Sequence, residues 1–351
     1  MKILLVGPRW IGGWMEGVEY GLIALGHQVQ AFAYSSPHAP FRMNNELILK
    51  SYVPSALHSV LRPLAHRIGA GWERDMNRRL VKTVYQYQPD LIFLLKGDLI
   101  QPETLEAIKS ANRLLISWWV DNPLFYYKDY PQVAVQLKII NALFIFDYED
   151  LEMLKQKGVE NIFYLPCAYD PEIYHPKKIS APHKKRFECE VAFIANYYPE
   201  RGEFLKYTQG LDVAVWGRGW KSFLKKNNFP PKVLRGKDLN GEYVSAVYNT
   251  AYICPNVHHV QSRGGGLNMR TFEIPGAGGF QLTDYIAGME EHFEIGRELI
   301  VYESPEHFRE LAEYYLKHES ERKAIAHRGY ERVVREHTYE QRLKKIFEVL
   351  N

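Results

Sequence analysis

KILLVGPRWIGGWMEGVEYGLIALGHQVQAFAY, residues Lys2–Tyr34, decides the fold class. Lys2 to Gly7 is a continuous apolar run of β-formers ending on a glycine, the pattern of a strand buried on both faces of a parallel sheet. Gly12 and Gly13 then open a helix in which Val18, Leu22, Ile23 and Leu25 recur at helical spacing, and Gly26 closes it before a strand over Gln28–Tyr34. This is a βαβ unit. Strand patterns follow at Leu91–Lys96, Arg113–Val120, Asn141–Phe146 and Asn161–Leu165, separated by helical patterns at Gly71–Tyr87, Pro102–Ala111 and Tyr148–Lys157. Such alternation predicts a doubly wound α/β domain.

The 351 residues exceed a usual single core, so two domains of roughly 150 residues are expected. With 46% hydrophobic and 24% charged residues the composition is globular, and a net charge of +3 gives no footing for general nucleic-acid binding. The expected partner is small. Cys167, Cys189 and Cys254 lack metal-type spacing and are expected as reduced, buried thiols, which with the absence of a signal h-region or a span of roughly 18 apolar residues points to the cytoplasm. Peripheral membrane contact and oligomeric state are left open.

Open α/β sheets bind ligands beyond the carboxyl ends of their strands. In the first half the polar or Gly-rich loops there are PRWIGGW, with Gly12 and Gly13, KGDL, with Asp98, and VDNP, with Asp121. The glycines suit a close ligand approach or a plain tight turn; the acids suit a base or hydroxyl acceptor, or helix caps before Pro123. Asp121 is the candidate base, and Gly12, Gly13 and Asp98 the acceptor-side loops. The turn lacks GxGxxG, which disfavours a dinucleotide and an oxidoreductase.

Between Pro166 and Phe187 periodicity is lost and four prolines gather, so the segment reads as a linker whose lysines form a solvated face without an amphipathic helix. A second α/β series follows: strands at Cys189–Asn196, Leu211–Gly217, Ala251–Asn256, in GFQLTD and at Leu299–Glu303, a helix start over Met269–Ala277, and helices over Pro305–His318, Ser320–His337 and Thr338–Leu350, the last with a Thr338/Gln341 capping box. The expected divisions are 1–166, acceptor domain; 167–187, linker; 188–337, nucleotide-sugar domain; and 338–351, a closing helix free to pack back on the first domain. A central cleft between the domains would suit a two-substrate reaction closed to water.

LNMRTFEIPGAGGFQLTDY, Leu267–Tyr285, crowds Asn268, Arg270 and Glu273 beside glycines. A sugar nucleotide needs cations for its diphosphate and a carboxylate for its ribose diol, which Arg270 and Glu273 would supply, with Gly264–Gly266 allowing close backbone approach. The plainer alternative is an i,i+3 ion pair on a helix. His258 and His259 are adjacent on a strand pattern, face opposite ways and make a poor metal pair. FDYED, Phe146–Asp150, reads as an N-cap at Asp147 rather than a metal motif.

The pattern N-x-R-T-F-E-I-x-x-x-G-G-F-x-L-T-D over Asn268–Asp284 resembles the signature of CgeB-like, spore-maturation-type glycosyltransferases, and similarity continues through AYICPN, HFEIGRELIVYESPEHFRELAEYYL and AHRGYERVVREHTYEQRL. The resemblance implies the GT-B fold, two Rossmann-like domains facing a cleft, and a metal-independent transfer from a nucleotide-sugar donor, UDP-type, to a hydroxyl-bearing acceptor, with no separate cofactor. It implies that Glu273 takes the ribose hydroxyls and Arg201 the diphosphate, while Trp216, Gly217, Pro255 and Asn256 wall the base and ribose. A first Glu, separated from the second by seven intervening residues, would fall at Gly265, where it is absent; Asn268 or the glycine loop would then meet the donor sugar. A non-hydrolysing sugar-nucleotide epimerase and a catalytically silent sugar-nucleotide-binding protein are the alternatives.

Overall fold

The computed structural model describes residues 1–9, 13–35, 58–109, 113–124, 132–237, 239, 241–262 and 264–350, with backbone alone at 35, 58–70 and 261. The chain separates into two compact units, the first holding 1–145, 150–165 and 350, the second 146–149, 166–349 and 351.

In the first unit β1 (Lys2–Pro8) pairs in parallel with β2 (Gln28–Ser35) and with β3 (Leu91–Leu95). β4 (Leu114–Trp119), β5 (Ala142–Ile145) and β6 (Ile162–Tyr164) extend the sheet in the order β2-β1-β3-β4-β5-β6. All pairings are parallel, so each strand needs a crossover, and two-sided burial of Ile3–Val6, Leu91–Leu95 and Leu115–Ile116 follows from the apolar runs. The order reverses between β1 and β3, with β3 and β4 as neighbours, which gathers the loops after these strands at one edge.

The helices of this unit are α1 (Trp14–Ala24), α2 (His58–Tyr87), α3 (Pro102–Ile108), α4 (Gln132–Ile139) and α5 (Tyr148–Gln156), the first two residues of α5 being counted with the second unit. α1 buries Trp14, Met15, Val18 and Leu22, whereas Ile23, expected on the same apolar stripe, is exposed. α2 starts well before the Gly71 suggested by periodicity, and α4 carries no strong repeat. α5 is capped as expected, with Asp147 Oδ1 accepting from the Glu149 amide at 3.0 Å.

The second unit begins in the segment expected to be a bare linker. It contains a helix, α6 (Ala181–Phe187), whose exposed Lys184, Lys185 and Arg186 occupy the last turn, where cations oppose the negative helix end. Phe187 is fully buried, Tyr169 bridges to Thr338, and Tyr174 is buried, so this stretch is integral to the second core.

Strands β7 (Val191–Ile194), β8 (Val213–Trp216) and β9 (Leu234–Gly236) form one ladder; β10 (Cys254–Asn256), β11 (Gln281–Asp284) and β12 (Ile300–Tyr302) form another. A parallel bridge between Val191 and Ile253 joins them, with Ala192 N donating to Ile253 O at 3.0 Å and Ile253 N to Glu190 O at 2.9 Å. The combined order β9-β8-β7-β10-β11-β12 is the doubly wound arrangement in which the chain reverses between β7 and β10.

α7 (Pro199–Lys206), α8 (Trp220–Lys226), α9 (Glu242–Thr250), α10 (Arg270–Gly276), α11 (Pro305–Lys317), α12 (Glu319–Glu336) and α13 (Tyr339–Leu350) complete the unit. Val191, Phe193, Val215, Trp220, Leu282 and Phe308 form its core. Thr338 and Gln341 make the expected capping box, through Thr338 N to Gln341 Oε1 at 2.8 Å and Gln341 N to Thr338 Oγ1 at 3.3 Å. α7, α8 and the three-residue β9 have no clear pattern in the sequence.

Candidate functional site

At the reversal between β7 and β10 two guanidinium groups converge. Arg201, on the first turn of α7, is 6% exposed; its Nη1 donates to Asn196 O at 3.0 Å, while its Nε is buried without a partner. Burial first, and then the charge of Arg270, lowers the Arg201 guanidinium to about 10. Arg270 opens α10 and donates through Nε to Asn256 Oδ1 at 3.2 Å and through Nη2 to Val257 O at 3.3 Å. Among the described residues neither arginine has a carboxylate within ion-pair distance, and the plain Arg270–Glu273 pair is not formed. Two such cations held close are unfavourable without an anion between them.

Beneath the arginines lies a polar network at the carboxyl ends of β10 and β11. Asn256, fully buried, donates to Thr271 Oγ1 at 3.1 Å and receives from Asn268 Nδ2 at 3.0 Å. Asn268 Oδ1 also accepts from the Thr271 amide at 3.2 Å, so it caps the helix that carries Arg270 and Glu273. His258 Nδ1 lies 2.7 Å from Asp284 Oδ1, and its Nε2 lies 3.1 Å from Thr271 Oγ1. Sequence reasoning finds Asn256 and Asn268 but misses Thr271, His258 and Asp284. In the sequence His258 stands out only as a poor metal ligand, although Asp284 closes the motif that carries the family resemblance.

Glu273 retains partial exposure, yet the protein packed around its carboxylate raises it to about 7 through desolvation, opposed by Arg270 and by a hydrogen bond from Tyr174. Tyr248 and Tyr339 also lie close enough to feel its charge.

Other expected contacts sit differently. Trp216 is 3% exposed and packs edge-on against Phe187 and beneath Arg235, so its ring is committed to the core. Gly217 has φ +150, and a Cβ there would lie 2.0 Å from Ala195 O; the glycine serves the close approach of the β7 and β8 ends. Pro255 is buried within β10. Gly264 and Gly266 make room for the chain's own Asp147 and Phe146, with a Cβ meeting Asp147 Oδ1 at 2.5 Å and Phe146 Cε2 at 2.5 Å respectively. That intramolecular approach accounts for their small size without a ligand. Gly265 has φ +114, and a Cβ there would lie 3.3 Å from Ala287 O, so a glutamate would be strained at this position.

In the first unit Gly13 precedes α1 as its N-terminal flanking residue, and Gly12 lies outside the described residues. Asp98 and Asp121 follow adjacent strands β3 and β4, and Lys96 joins them: its Nζ is 2.9 Å from Asp121 Oδ2 and 3.8 Å from Asp98 Oδ2. Lys96 does not stand out in the sequence, where it reads as the last residue of a strand.

At the opposite, amino ends of the second unit's strands is a hollow of about 470 Å³, lined in part by Lys184, Glu188, Tyr252, Glu319, Arg322 and Lys323. Its Lys184–Glu188 and Lys323–Glu319 contacts, at 3.8 and 2.5 Å, satisfy charge internally, and it is remote from the arginines in the sheet. All three cysteines are buried and free. Among the described residues no helix is long and apolar enough to cross a membrane, and no three metal-type ligands cluster.

Residues 201–348 match a protein family described as glycosyl transferase-like. Spore protein CgeB of Bacillus subtilis (strain 168) is 25% identical over 275 residues, 73% of this chain and 81% of that protein. Sucrose-phosphate synthase from Thermosynechococcus elongatus superposes with TM-score 0.68 at 11% identity, over 99% of this chain and 98% of that one. Anabaena HepE in complex with UDP-glucose superposes with TM-score 0.64 at 14% identity, over 100% and 99%. The fold is GT-B, and the resemblance carried by Asn268–Asp284 extends to most of the CgeB sequence.

Proposed function

We propose that this CgeB-like glycosyltransferase of GT-B fold moves a sugar from a nucleoside-diphosphate donor, UDP-type, to a hydroxyl-bearing acceptor, with the donor held by the second unit. The observation that carries the reading is the Arg201–Arg270 pair, buried or half-buried, mutually repelling and without a carboxylate partner among the described residues. A diphosphate supplies the missing charge, and the same two guanidiniums stabilise it as it departs with the bond electrons. The UDP-glucose complex of the HepE structure supports this donor class.

Glu273 accepts the ribose hydroxyls, replacing the Tyr174 hydrogen bond or sharing it. Asn268 caps α10, fixing the direction of Arg270 and Glu273 relative to β10. Asp121, positioned by Lys96, serves in the first unit as the base or orienting group for the acceptor hydroxyl. With two arginines on the leaving group the transfer proceeds without a metal; activity that survives EDTA supports this, and a strict divalent-ion requirement contradicts it.

Gly265 favours a second reading, a sugar-nucleotide-binding protein without turnover, because a glutamate would be strained where the family pattern has one. Incubation with UDP-glucose decides between them: release of UDP supports the transferase, tight binding without release supports the second reading, and sugar conversion without UDP release supports an epimerase.

A further inference from the structure

Arg322 lines the hollow at the amino ends of the second unit's strands, and one edge of its guanidinium is uncommitted. The residue is 6% exposed. Its Nη1 donates to Tyr315 O, one of the last carbonyls of α11, so that part of the group opposes the negative end of a helix. One face lies over the Tyr252 ring, 5.0 Å from its centre, which fixes the guanidinium plane. Nε and Nη2 form the remaining edge. Among the described residues neither atom has a hydrogen-bond partner or a carboxylate within ion-pair distance, and neither is sealed from solvent. Burial holds the guanidinium below its ordinary value although Glu319 and Tyr252 oppose the shift.

The charged lining of the hollow is Lys184, Arg322 and Lys323 against Glu188 and Glu319. Lys184 faces Glu188 at 3.8 Å, Lys323 faces Glu319 at 2.5 Å, and Glu188 also accepts from Tyr252 Oη at 3.4 Å. Both carboxylates are matched, and the excess is the single positive charge of Arg322. A neighbouring hollow shares Lys184, Glu188 and Tyr252 but adds Lys185 against Glu190 and Asp212, the last facing Arg235 at 3.9 Å, and it holds no positive excess. An anion is therefore drawn to Arg322. Close by, Thr250 donates its hydroxyl proton to Ala246 O at 2.6 Å and Asn249 Nδ2 donates to Ala277 O at 3.0 Å, which leaves Thr250 Oγ1 and Asn249 Oδ1 to accept from hydroxyl groups. The volume of about 470 Å³ falls within the roughly 300–1,000 Å³ of small-molecule sites.

We infer that this hollow is a second ligand site, separate from the Arg201–Arg270 pair, and that it takes a small hydroxylated molecule bearing one oxyanion, a phosphate or a carboxylate. The oxyanion meets the Nε and Nη2 edge of Arg322 through two parallel hydrogen bonds, the geometry that a planar guanidinium fork provides and an ammonium does not. The site stands whether or not the second unit binds a nucleotide sugar.

The test is calorimetric titration of the full chain with glucose 6-phosphate, glucuronate and glucose. At least one of the two anionic sugars should bind about tenfold or more tightly than glucose, and the tighter of them identifies the oxyanion. Arg322→Gln should weaken that ligand about tenfold or more, whereas Arg270→Gln, at the carboxyl ends of the strands, should leave it within about twofold. If Arg322→Gln unfolds by circular dichroism, Lys323→Glu carries the comparison with the same expected loss, because Lys323 is 73% exposed and its reversal turns the charge excess of the hollow negative. Glucose binding as tightly as both anions, no binding by any of the three, a folded Arg322→Gln or Lys323→Glu protein with undiminished affinity, or a loss caused by Arg270→Gln overturns the inference. The last outcome puts the anion at the paired arginines and leaves the donor assignment standing, so the two readings fail separately.

Discussion

His258 Nδ1 stands 2.7 Å from Asp284 Oδ1, and this contact joins the ends of β10 and β11 directly beneath Arg270. The His258 amide also reaches both Asp284 oxygens at 3.1 Å, so main chain and side chain of one residue grip the same carboxylate. The remaining ring nitrogen reaches Thr271, which is hydrogen-bonded to Asn256 and Asn268. Removing the imidazole leaves Thr271 and Asp284 short of a partner in a buried setting. His258→Ala is expected to lower stability by about 2–4 kcal/mol, combining a cavity with unsatisfied polar groups. Urea unfolding measures this, and a loss below about 0.5 kcal/mol would show that the network is dispensable.

Glu273 gives a pH dependence with a definite sign. Its carboxyl is raised to about 7 from an ordinary value of 4.5, chiefly by desolvation. The folded state therefore holds the proton more tightly than the unfolded state, so this contribution to stability is present below about pH 4.5 and is lost as pH rises through about 7. Donor binding runs the other way, because ribose hydroxyls donate to the ionised form. UDP affinity should rise several-fold between pH 6 and pH 8, with a proton released on binding. Calorimetry in two buffers of different ionisation enthalpy reads that proton; Glu273→Gln should abolish the pH slope, and a slope that survives the substitution refutes the assignment.

Two glycines with positive φ separate steric demand from backbone strain. At Gly217 an added methyl would meet Ala195 O at 2.0 Å, whereas at Gly26, φ +82, nothing lies within 4 Å. Gly26→Ala should cost about 1 kcal/mol, the ordinary strain of a left-handed alanine. Gly217→Ala should cost about 3 kcal/mol or more, because the β7 and β8 ends must separate to admit the methyl. Thermal melts of the two proteins side by side check the difference, and equal losses would place the demand in φ alone.

The sequence carried the fold where burial was two-sided and the apolar run continuous, as at Lys2–Gly7 and Leu91–Leu95. It hid elements whose shape comes from tertiary context: β9 is three residues long, and α6 rests on one buried residue, Phe187, among cations. Arg201 and Arg270 were legible as charges beside strand ends, but their convergence spans 69 residues of chain and no local pattern announces it. The triple glycine illustrates the reverse problem, since a loop built to clear Asp147 and Phe146 reads in one dimension like a loop built for a phosphate. Lys96 escapes notice because its role lies in the two carboxylates of different loops that it joins.

Arg201 and Arg270, held close without a carboxylate partner among the described residues, are expected to receive a diphosphate. Their mutual repulsion in the protein without nucleotide makes the claim separable from a structural role, because a site kept for binding is relieved, not harmed, when one charge is removed. The direct measurement is calorimetric titration of UDP into the wild type and Arg270→Gln, with melting temperatures of both proteins in the absence of nucleotide. The expected result is a UDP affinity weakened about tenfold to a hundredfold in the variant, roughly the 1.5–3 kcal/mol of a charged hydrogen bond, with a melting temperature equal to or above that of the wild type. A folded Arg270→Gln protein that binds UDP as tightly as the wild type would contradict it.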